Sequence, residues 1–355
     1  MRKNNDGSKF MLVLMLSFVG TVALIGITAG MISVFFETDP LSMLVSPWVL
    51  IATQLVGLML PLTIWMIAKK ESVRSNFPSC DLGAKNIIII VALSFLIQPV
   101  IMTISGIMSL FVDNDVASLM YSLQRQPFWL SLIAIAVMPA ICEELVFRGY
   151  IQSKYRDRPI RRAALINGLF FGIIHLNFHQ FTYAFLLGVA FAYMVHYTRS
   201  IWAAIIPHFI INGTQLTLSR LAFMAADAQP YADPAAEELF ASLALSPEAL
   251  AIIIFGILAL FLSPVIVILF IEFFKHNKAR FAGYEESPVE AVPSPVDEYG
   301  YAYQADNVAV PDNIYREAPQ EFLHGMHYKK PSRVDPYAIA VVVIFVVIAV
   351  LMLMA

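Results

Sequence analysis

Apolar residues form nine long runs along the chain, separated by polar stretches. An α-helix needs about 20 apolar residues to cross the hydrocarbon core of a bilayer, and most of the runs approach that length. Backbone groups in lipid must form hydrogen bonds within their own segment, so the runs predict membrane-spanning helices. The predicted spans are 10–35, 47–68, 87–111, 128–153, 163–178, 182–197, 201–219, 249–274 and 338–355.

This pattern predicts an all-α fold, a polytopic membrane helical bundle. About eight transmembrane helices would form the core, and the run at 338–355 would add a ninth at the C-terminus. The composition agrees, because 59% of the residues are hydrophobic and only 14% are charged, whereas soluble domains carry about 25% charged residues. The net charge of −3 provides no basic face for a nucleic acid.

Short connections join the fourth to seventh runs, so these helices should pack as antiparallel neighbours in one unit. Residues 276–336 are rich in proline, tyrosine and acidic residues and have no helical period, which predicts a disordered tail. The predicted units are three N-terminal helices at 1–127, the four-helix core at 128–219, a loop at 220–248, an eighth helix at 249–275, the tail at 276–336 and the last helix at 337–355. The acidic residues of the loop are Asp227, Asp233, Glu237 and Glu238.

Lysine and arginine are concentrated in every second connection, starting from the N-terminus. Connections rich in these residues lie on the cytoplasmic side of a membrane. The alternation therefore predicts a multi-pass protein of the cell membrane with a cytoplasmic N-terminus and a C-terminus outside. The same rule makes the loop at 220–248 extracytoplasmic and the tail at 276–336 cytoplasmic.

An ionic cluster, Glu143-Glu144-x-x-x-Arg148, interrupts the fourth run. Each such residue costs about 2.5–3.5 kcal/mol at the centre of a membrane helix, so the three must be paired, neutralised or hydrated. Glu144 and Arg148 are four residues apart on one helix face and are expected to pair. Glu143 lies about 100° around the helix and is left to act as a general base. The alternative is a purely structural ionic cluster, or side chains that reach the cytoplasmic interface.

Two later runs supply histidines at a similar depth. His175 follows Phe171 by four residues, and it lies 16 residues after Pro159 in the basic turn, while Glu143 lies 16 residues before it. Equal distances from the turn of an antiparallel hairpin mean equal depth, so Glu143 and His175 are expected to face each other. In the seventh run, His208 and Asn212 share a helix face at a similar depth.

Taken in order, Glu-Glu-x-x-x-Arg, Phe-x-x-x-His and His-x-x-x-Asn on three membrane helices resemble the CPBP family. This family includes CAAX prenyl proteases of the Ras-converting type and bacteriocin-processing or self-immunity (Abi) proteins. The resemblance covers roughly residues 128–215. It implies an intramembrane endopeptidase of the EC 3.4 class that cuts a membrane-anchored, lipidated (CAAX-like) or hydrophobic protein or peptide.

The resemblance also implies roles for individual residues. Glu143 and His175 would activate the attacking water, and His208 and Asn212 would stabilise the oxyanion. The supporting positions of the motifs are Glu144, Arg148 and Phe171.

Whether the reaction uses a metal is left open by the residues. Glu143, His175 and His208 could form a zinc site with two histidines and one glutamate and an open coordination position. The same residues could instead activate water without a metal, and this is the chemistry that we favour. His175 and His179 form a second pair four residues apart, but His179 is expected to be solvated near the outer interface.

Two other functions compete with the protease. A bacteriocin self-immunity or scaffold protein could keep the fold without catalysis, although all the motif residues are present here. A proton-coupled transporter would use Glu143 and the histidines as a relay, but its usual paired inverted halves are not evident in the sequence. The sequence does not determine whether a substrate is prenylated.

Overall fold

The computed structural model describes residues 6–37, 43–228, 246–286 and 335–354, and these ranges are helical apart from turns and one isolated bridge between Ser79 and Ser200. The principal helices are α1 (Asp6–Phe36), α2 (Pro47–Lys69), α3 (Ala84–Met108, interrupted at Ile97), α4 (Asp115–Ser122), α5 (Phe128–Ile151), α6 (Ile160–Ile174), α7 (Phe178–Thr198), α8 (Trp202–Ala228), α9 (Pro247–Glu286) and α10 (Pro336–Met354). The all-α prediction is confirmed.

Six of these helices, α1, α2, α3, α5, α7 and α9, are long and apolar enough to cross a membrane. Every predicted span overlaps a helix of the described ranges, although not all of the predicted ends agree. The helix α6 has only 15 residues, which at 1.5 Å per residue extends about 22 Å, less than the roughly 30 Å hydrocarbon core. Of the nine predicted spans, six therefore correspond to described helices that are long and apolar enough to cross a membrane.

The predicted boundary between the fifth and sixth spans is wrong. The sequence pattern placed the connection at 179–181, but α6 ends at Ile174 and α7 begins at Phe178. Leu176 adopts a left-handed conformation with φ of 52°, and the Asn177 side chain accepts a hydrogen bond from the Gln180 amide. This cap starts a new helix where the apolar pattern continues without a break.

Two predicted ends are also wrong. The helix α8 continues to Ala228, so Asp227 is helical and does not belong to a loop that starts at 220. The helix α9 continues to Glu286, into the segment predicted as a disordered tail. Tertiary contacts hold this extension, because Asn277 exchanges hydrogen bonds with Asn86. The remaining loop and tail predictions, including those for Asp233, Glu237 and Glu238, lie outside the described residues.

Glycines allow α6 and α7 to pack backbone to backbone. A Cβ on Gly188 would lie 2.7 Å from the Cα of Gly168, and one on Gly172 would lie 2.8 Å from the Phe181 ring. Real side chains do not approach so closely, so a larger residue would push the helices apart. The close contact brings the end of α6, with its functional histidine, against the middle of the bundle.

Three stretches of π-helix widen the helices beside the central cavity. Gln54–Met59 lies in α2, and Ile133–Val137 and Leu145–Ile151 lie in α5. Pro61 and Pro139 follow the first two stretches, and a proline within a helix removes a backbone donor. Such π-turns are frequent at functional sites because they redirect side chains and release backbone carbonyls.

The C-terminal helix α10 packs against α1, with Val341 fully buried. Phe345 of α10 stacks on Phe181 of α7 with ring centroids 5.3 Å apart. In the described residues this helix is therefore an integral part of the bundle surface.

Candidate active site

A cavity of about 240 Å³ lies among α2, α5, α6, α7 and α8. The first of the ordered motifs meets it at Glu143, the second at His175 and the third at His208 and Asn212. Four further polar side chains line it, namely Thr53, Gln54, Gln180 and Gln215, together with Tyr183. All four residues expected to carry catalysis thus line one cavity.

Glu143 lies in the cavity wall with its two oxygens in different environments. Its Oε1 accepts a hydrogen bond from Gln54 Nε2 at 2.9 Å. Its Oε2 is buried without a hydrogen-bond partner and lies 4.0 Å from both His175 Nε2 and His208 Nε2. The expected opposition of Glu143 and His175 is present, and one carboxylate oxygen is available to a molecule in the cavity.

Glu144 and Arg148 form the expected ion pair. Arg148 Nη1 donates to Glu144 Oε1 at 2.8 Å, and both side chains are fully buried. The guanidinium lies 4.1 Å from the ring centroid of Phe171 and 5.3 Å from that of Phe191. Cation–π contacts of this kind stabilise a desolvated guanidinium. The supporting residues therefore form a charged layer behind the cavity.

Each histidine is held through its Nδ1 atom, His208 by the charged layer and His175 by the backbone of its own helix. His208 Nδ1 lies 2.7 Å from Glu144 Oε1, and His175 Nδ1 lies 2.7 Å from the Phe171 carbonyl. Because each partner is an acceptor, each Nδ1 must carry the proton and donate it. The Nε2 atoms of both rings therefore point toward Glu143, and a neutral ring presents a lone pair there.

Asn212 is held by a carbonyl that a proline releases. Its Nδ2 donates to the Ile135 carbonyl at 2.9 Å. Pro139, four residues after Ile135, has no N–H to bond that carbonyl within the helix. The Asn212 amide has two N–H donors, so one remains for a group in the cavity.

The prediction that His179 is solvated is wrong. Its side chain is buried, and Nε2 lies 2.9 Å from the Ser105 carbonyl and 3.1 Å from Ser109 Oγ. The early end of α6 moves His179 into the first turn of α7, where it faces α3 instead of the interface. It belongs to the contact between those helices and not to the cavity.

The donor types of Glu143, His175 and His208 suit zinc, but their spacing does not. Ligands at 2.0–2.1 Å from a tetrahedral zinc lie about 3.4 Å from one another, whereas both measured pairs are 4.0 Å apart. No group of three or more His, Cys, Asp or Glu side chains in the described ranges is arranged to hold a metal ion. As positioned, these three residues do not fit a zinc site.

Two apolar cavities adjoin the central one. One of about 660 Å³ shares Met120, Tyr183 and Gln215 with it, and one of about 500 Å³ shares Leu119 and His175 with it. The short helix α4 lies between them, and its Val116 lines all three cavities. Together they form apolar space next to the cavity that Glu143 lines.

The sequence prediction missed Gln54 and the helix α4. Gln54 could have been noticed as a polar residue in the middle of the apolar run 47–68, because such residues usually face a bundle interior or a cavity. For Val116, Leu119 and Met120 no comparable signal exists, since their position over the cavity depends on how α4 folds back.

Comparison with known proteins agrees with this geometry. Residues 125–214 match the family described as Type II CAAX prenyl endopeptidase Rce1-like. Over 84 residues the chain is 30% identical to a protein of Bacillus subtilis (strain 168) named "Putative membrane peptidase YdiL", a match that covers 23% of this chain and 34% of that protein. The chain thus matches about a third of the length of this curated relative. No solved structure matches the chain.

The three motifs that carry the resemblance all lie within the matched segment. Glu143, His175 and Asn212 come from separate helices there and line one cavity. The family resemblance inferred from the sequence is thereby confirmed. Residues 125–214, about a quarter of the chain, are thus similar to the Rce1-like type II CAAX prenyl endopeptidase family.

Proposed function

We propose that this protein is an intramembrane endopeptidase that uses Glu143 and His175 to activate water. The observation that carries the proposal is the unpartnered Glu143 Oε2, which lies 4.0 Å from the Nε2 atoms of His175 and His208 beside the central cavity. A buried carboxylate oxygen without a hydrogen bond is costly unless a ligand or a reacting water satisfies it. Family membership of the segment 125–214 supports the same chemistry.

The distance from Glu143 to His175 suits a water molecule. An oxygen placed about 2.8 Å from both atoms would subtend roughly 90° between them, close to the angle between the two protons of water. One proton can then point to Oε2 and the other to Nε2 while a lone pair faces the cavity. Transfer of one proton to Glu143 would make the water oxygen a nucleophile toward a peptide carbonyl.

The opposite side of the cavity would hold the tetrahedral intermediate. Asn212 has one amide N–H left to donate to the oxyanion. His208 can donate from Nε2 only if both ring nitrogens carry protons, because its Nδ1–H already donates to Glu144. Preorganised donors at a buried oxyanion supply a large part of the rate enhancement in acyl transfer.

Collapse of the intermediate would complete the reaction. The carbonyl forms again, the C–N bond breaks, and Glu143 returns its proton to the departing amine. The products are a carboxylic acid and an amine, and the carboxylate and histidines recover their starting protonation. No step is assigned to a metal, because the spacing of the candidate ligands does not fit zinc.

We propose a hydrophobic peptide segment of a membrane-associated protein, or a lipidated CAAX-like one, as the substrate. The apolar cavities of about 660 and 500 Å³ that adjoin the central cavity support this choice. Burial of apolar residues next to a scissile bond contributes about 25 cal/mol per Å² of covered surface. The name of the family, a CAAX prenyl endopeptidase, agrees with an apolar substrate but does not identify it.

We also propose the nine-span topology with a cytoplasmic N-terminus and the domain division given by the sequence, with the helix ends moved to Ala228 and Glu286. The alternation of basic connections supports the orientation. Topology reporters fused after Arg158 and after Asn114 should give opposite signals, cytoplasmic for Arg158 and external for Asn114. The same side for both would refute the predicted alternation.

The test of the proposed function compares the native protein with Glu143→Gln in membranes. Membrane peptides are profiled by mass spectrometry, and a peptide cut only by the native protein is then assayed with purified protein. Glu272→Gln is the matched control, because it makes the same change in an exposed ion pair with Lys85. We expect Glu143→Gln to abolish cleavage while the protein remains folded and inserted.

Undiminished cleavage by Glu143→Gln would refute the protease. A protein that protects cells from a peptide toxin equally well with and without Glu143 would instead support the non-catalytic immunity function.

A further inference from the structure

A glutamine outside the family segment holds the carboxylate expected to act as the base. Gln54 lies in α2, about 70 residues before the segment 125–214 begins, and its Nε2 donates to Glu143 Oε1 at 2.9 Å. This bond fixes the rotation of the carboxyl group, so that Oε2 faces His175 and His208. A carboxylate without such a donor could rotate, and its reactive oxygen would leave the cavity for part of the time.

The backbone around Gln54 is built to aim this side chain. Gln54 is the first residue of the π-helix Gln54–Met59, and π-turns occur most often where a helix must redirect a side chain at a functional site. The stretch packs against Met138–Glu144 of α5, directly after the π-helix whose Ile135 carbonyl holds Asn212. Irregular turns thus position a polar group on each side of the proposed reaction centre.

The other end of the Gln54 amide is unpartnered. Its Oε1 is buried without a hydrogen bond, and Gln54 lines the cavity. Buried amide oxygens are satisfied in most proteins, so an orphaned one that borders a cavity indicates a site for a donor. A peptide substrate carries such donors in its backbone N–H groups.

We infer that Gln54 is a positioning residue for Glu143 and that its carbonyl accepts a backbone N–H of the substrate. The inference rests on the proposed function, because it assigns Gln54 to the same reaction. It extends the reaction centre to α2, beyond the four residues of the family motifs that are expected to carry catalysis. The Nε2 donor acts on turnover through Glu143, and the Oε1 acceptor acts on substrate binding.

The test replaces Gln54 with methionine, which keeps the length of the side chain and removes both polar atoms. Loss of the hydrogen bond to the charged Glu143 should lower kcat by about ten- to a hundredfold. Loss of the neutral hydrogen bond to the substrate should raise KM by about two- to tenfold. Both constants are measured with a peptide identified as cleaved by the native protein. The melting temperature in detergent is measured beside them.

Gln152→Met is the matched control. Gln152 is a buried glutamine whose Nε2, like that of Gln54, donates at 2.9 Å, in this case to the Ala192 carbonyl, and its Oε1 also has no partner. It does not line the central cavity. We expect Gln152→Met to lower the melting temperature at least as much as Gln54→Met and to change kcat by less than about twofold.

A double-mutant cycle separates positioning from a structural role. In Glu143→Asp the side chain is shorter by one methylene, so Gln54 Nε2 no longer reaches the carboxylate. Adding Gln54→Met to this variant should therefore lower kcat by less than about threefold. The inference is overturned if Gln54→Met alone retains kcat within about twofold, or if it costs the same factor in the native protein and in the Glu143→Asp variant.

The Glu143→Gln variant distinguishes failure of this inference from failure of the proposed function. If Glu143→Gln is inactive and Gln54→Met has native kcat, only the assignment of Gln54 fails. If Glu143→Gln cleaves at the native rate, the proposed reaction itself fails.

Discussion

Replacing Glu144 with glutamine tests how buried charges are stabilised next to the cavity. Glu144 Oε1 accepts hydrogen bonds from Arg148 at 2.8 Å and from His208 at 2.7 Å, and the Glu144 and Arg148 side chains are fully buried. Glutamine keeps the shape and one acceptor oxygen but removes the negative charge. Arg148 would then remain as an uncompensated cation among aromatic rings.

The expected loss of stability follows from this burial. Breaking a buried ion pair by removing one partner costs about 3–5 kcal/mol, since the remaining charge stays desolvated. Removing both charges, in Glu144→Gln with Arg148→Met, should recover about 2 kcal/mol or more of that loss. Reversible unfolding in mixed detergent micelles, followed by tryptophan fluorescence, measures the free energy of unfolding of each variant.

The matched control is Glu272→Gln. Glu272 pairs with Lys85 at 2.6 Å, but about half of each side chain is exposed. Water and salt screen an exposed pair, so its loss should not measurably change the free energy of unfolding. If the double variant is as unstable as the sum of the two single variants, the ion pair does not explain the tolerance of charge in this part of the bundle.

Three further predictions follow from other contacts. Gly188→Ala should separate α6 from α7 and cost about 1–3 kcal/mol, whereas Gly20→Ala, with nothing within 4 Å of the new Cβ, should be neutral in the same unfolding assay. For Glu71, which lies between membrane spans, burial opposes ionisation but hydrogen bonds from Lys154 and Asn76 lower the pKa overall. The stability that ionised Glu71 contributes is therefore complete above the ordinary pKa of 4.5 and is lost as the pH falls through the lowered pKa. Glu71→Gln should accordingly make the melting temperature depend less on pH between about pH 5 and 3 than it does in the native protein. Removal of divalent metal ions by a chelator should leave peptide cleavage unchanged, since the candidate ligands are about 0.6 Å too far apart for zinc; loss of activity that added zinc restores would contradict the metal-free mechanism.

The chemistry of the site was predictable from the sequence because it depends on helical spacing. The four-residue interval alone predicts the pair of Glu144 and Arg148, and equal distances from the basic turn predict that Glu143 faces His175. The cost of charge in lipid then requires that these residues be paired or hydrated. These inferences need only the geometry of single helices and one hairpin.

Helix ends and contacts distant in the chain were not predictable in the same way. The apolar pattern cannot show that Asn177 caps a new helix, or that Asn86 holds Asn277 beyond the end of the apolar run. These features depend on single hydrogen bonds, and so the pattern placed His179 at the wrong surface.

The sequence by itself determined that the chain is a helical membrane protein and which motif residues share a site, because hydropathy and helical period act along one helix at a time. Only the tertiary structure decided that Glu144 binds His208 as well as Arg148, that Gln54 holds Glu143, and that α4 borders the cavity. Those contacts join segments separated by 64 and 89 residues, and the packing of several helices sets their geometry.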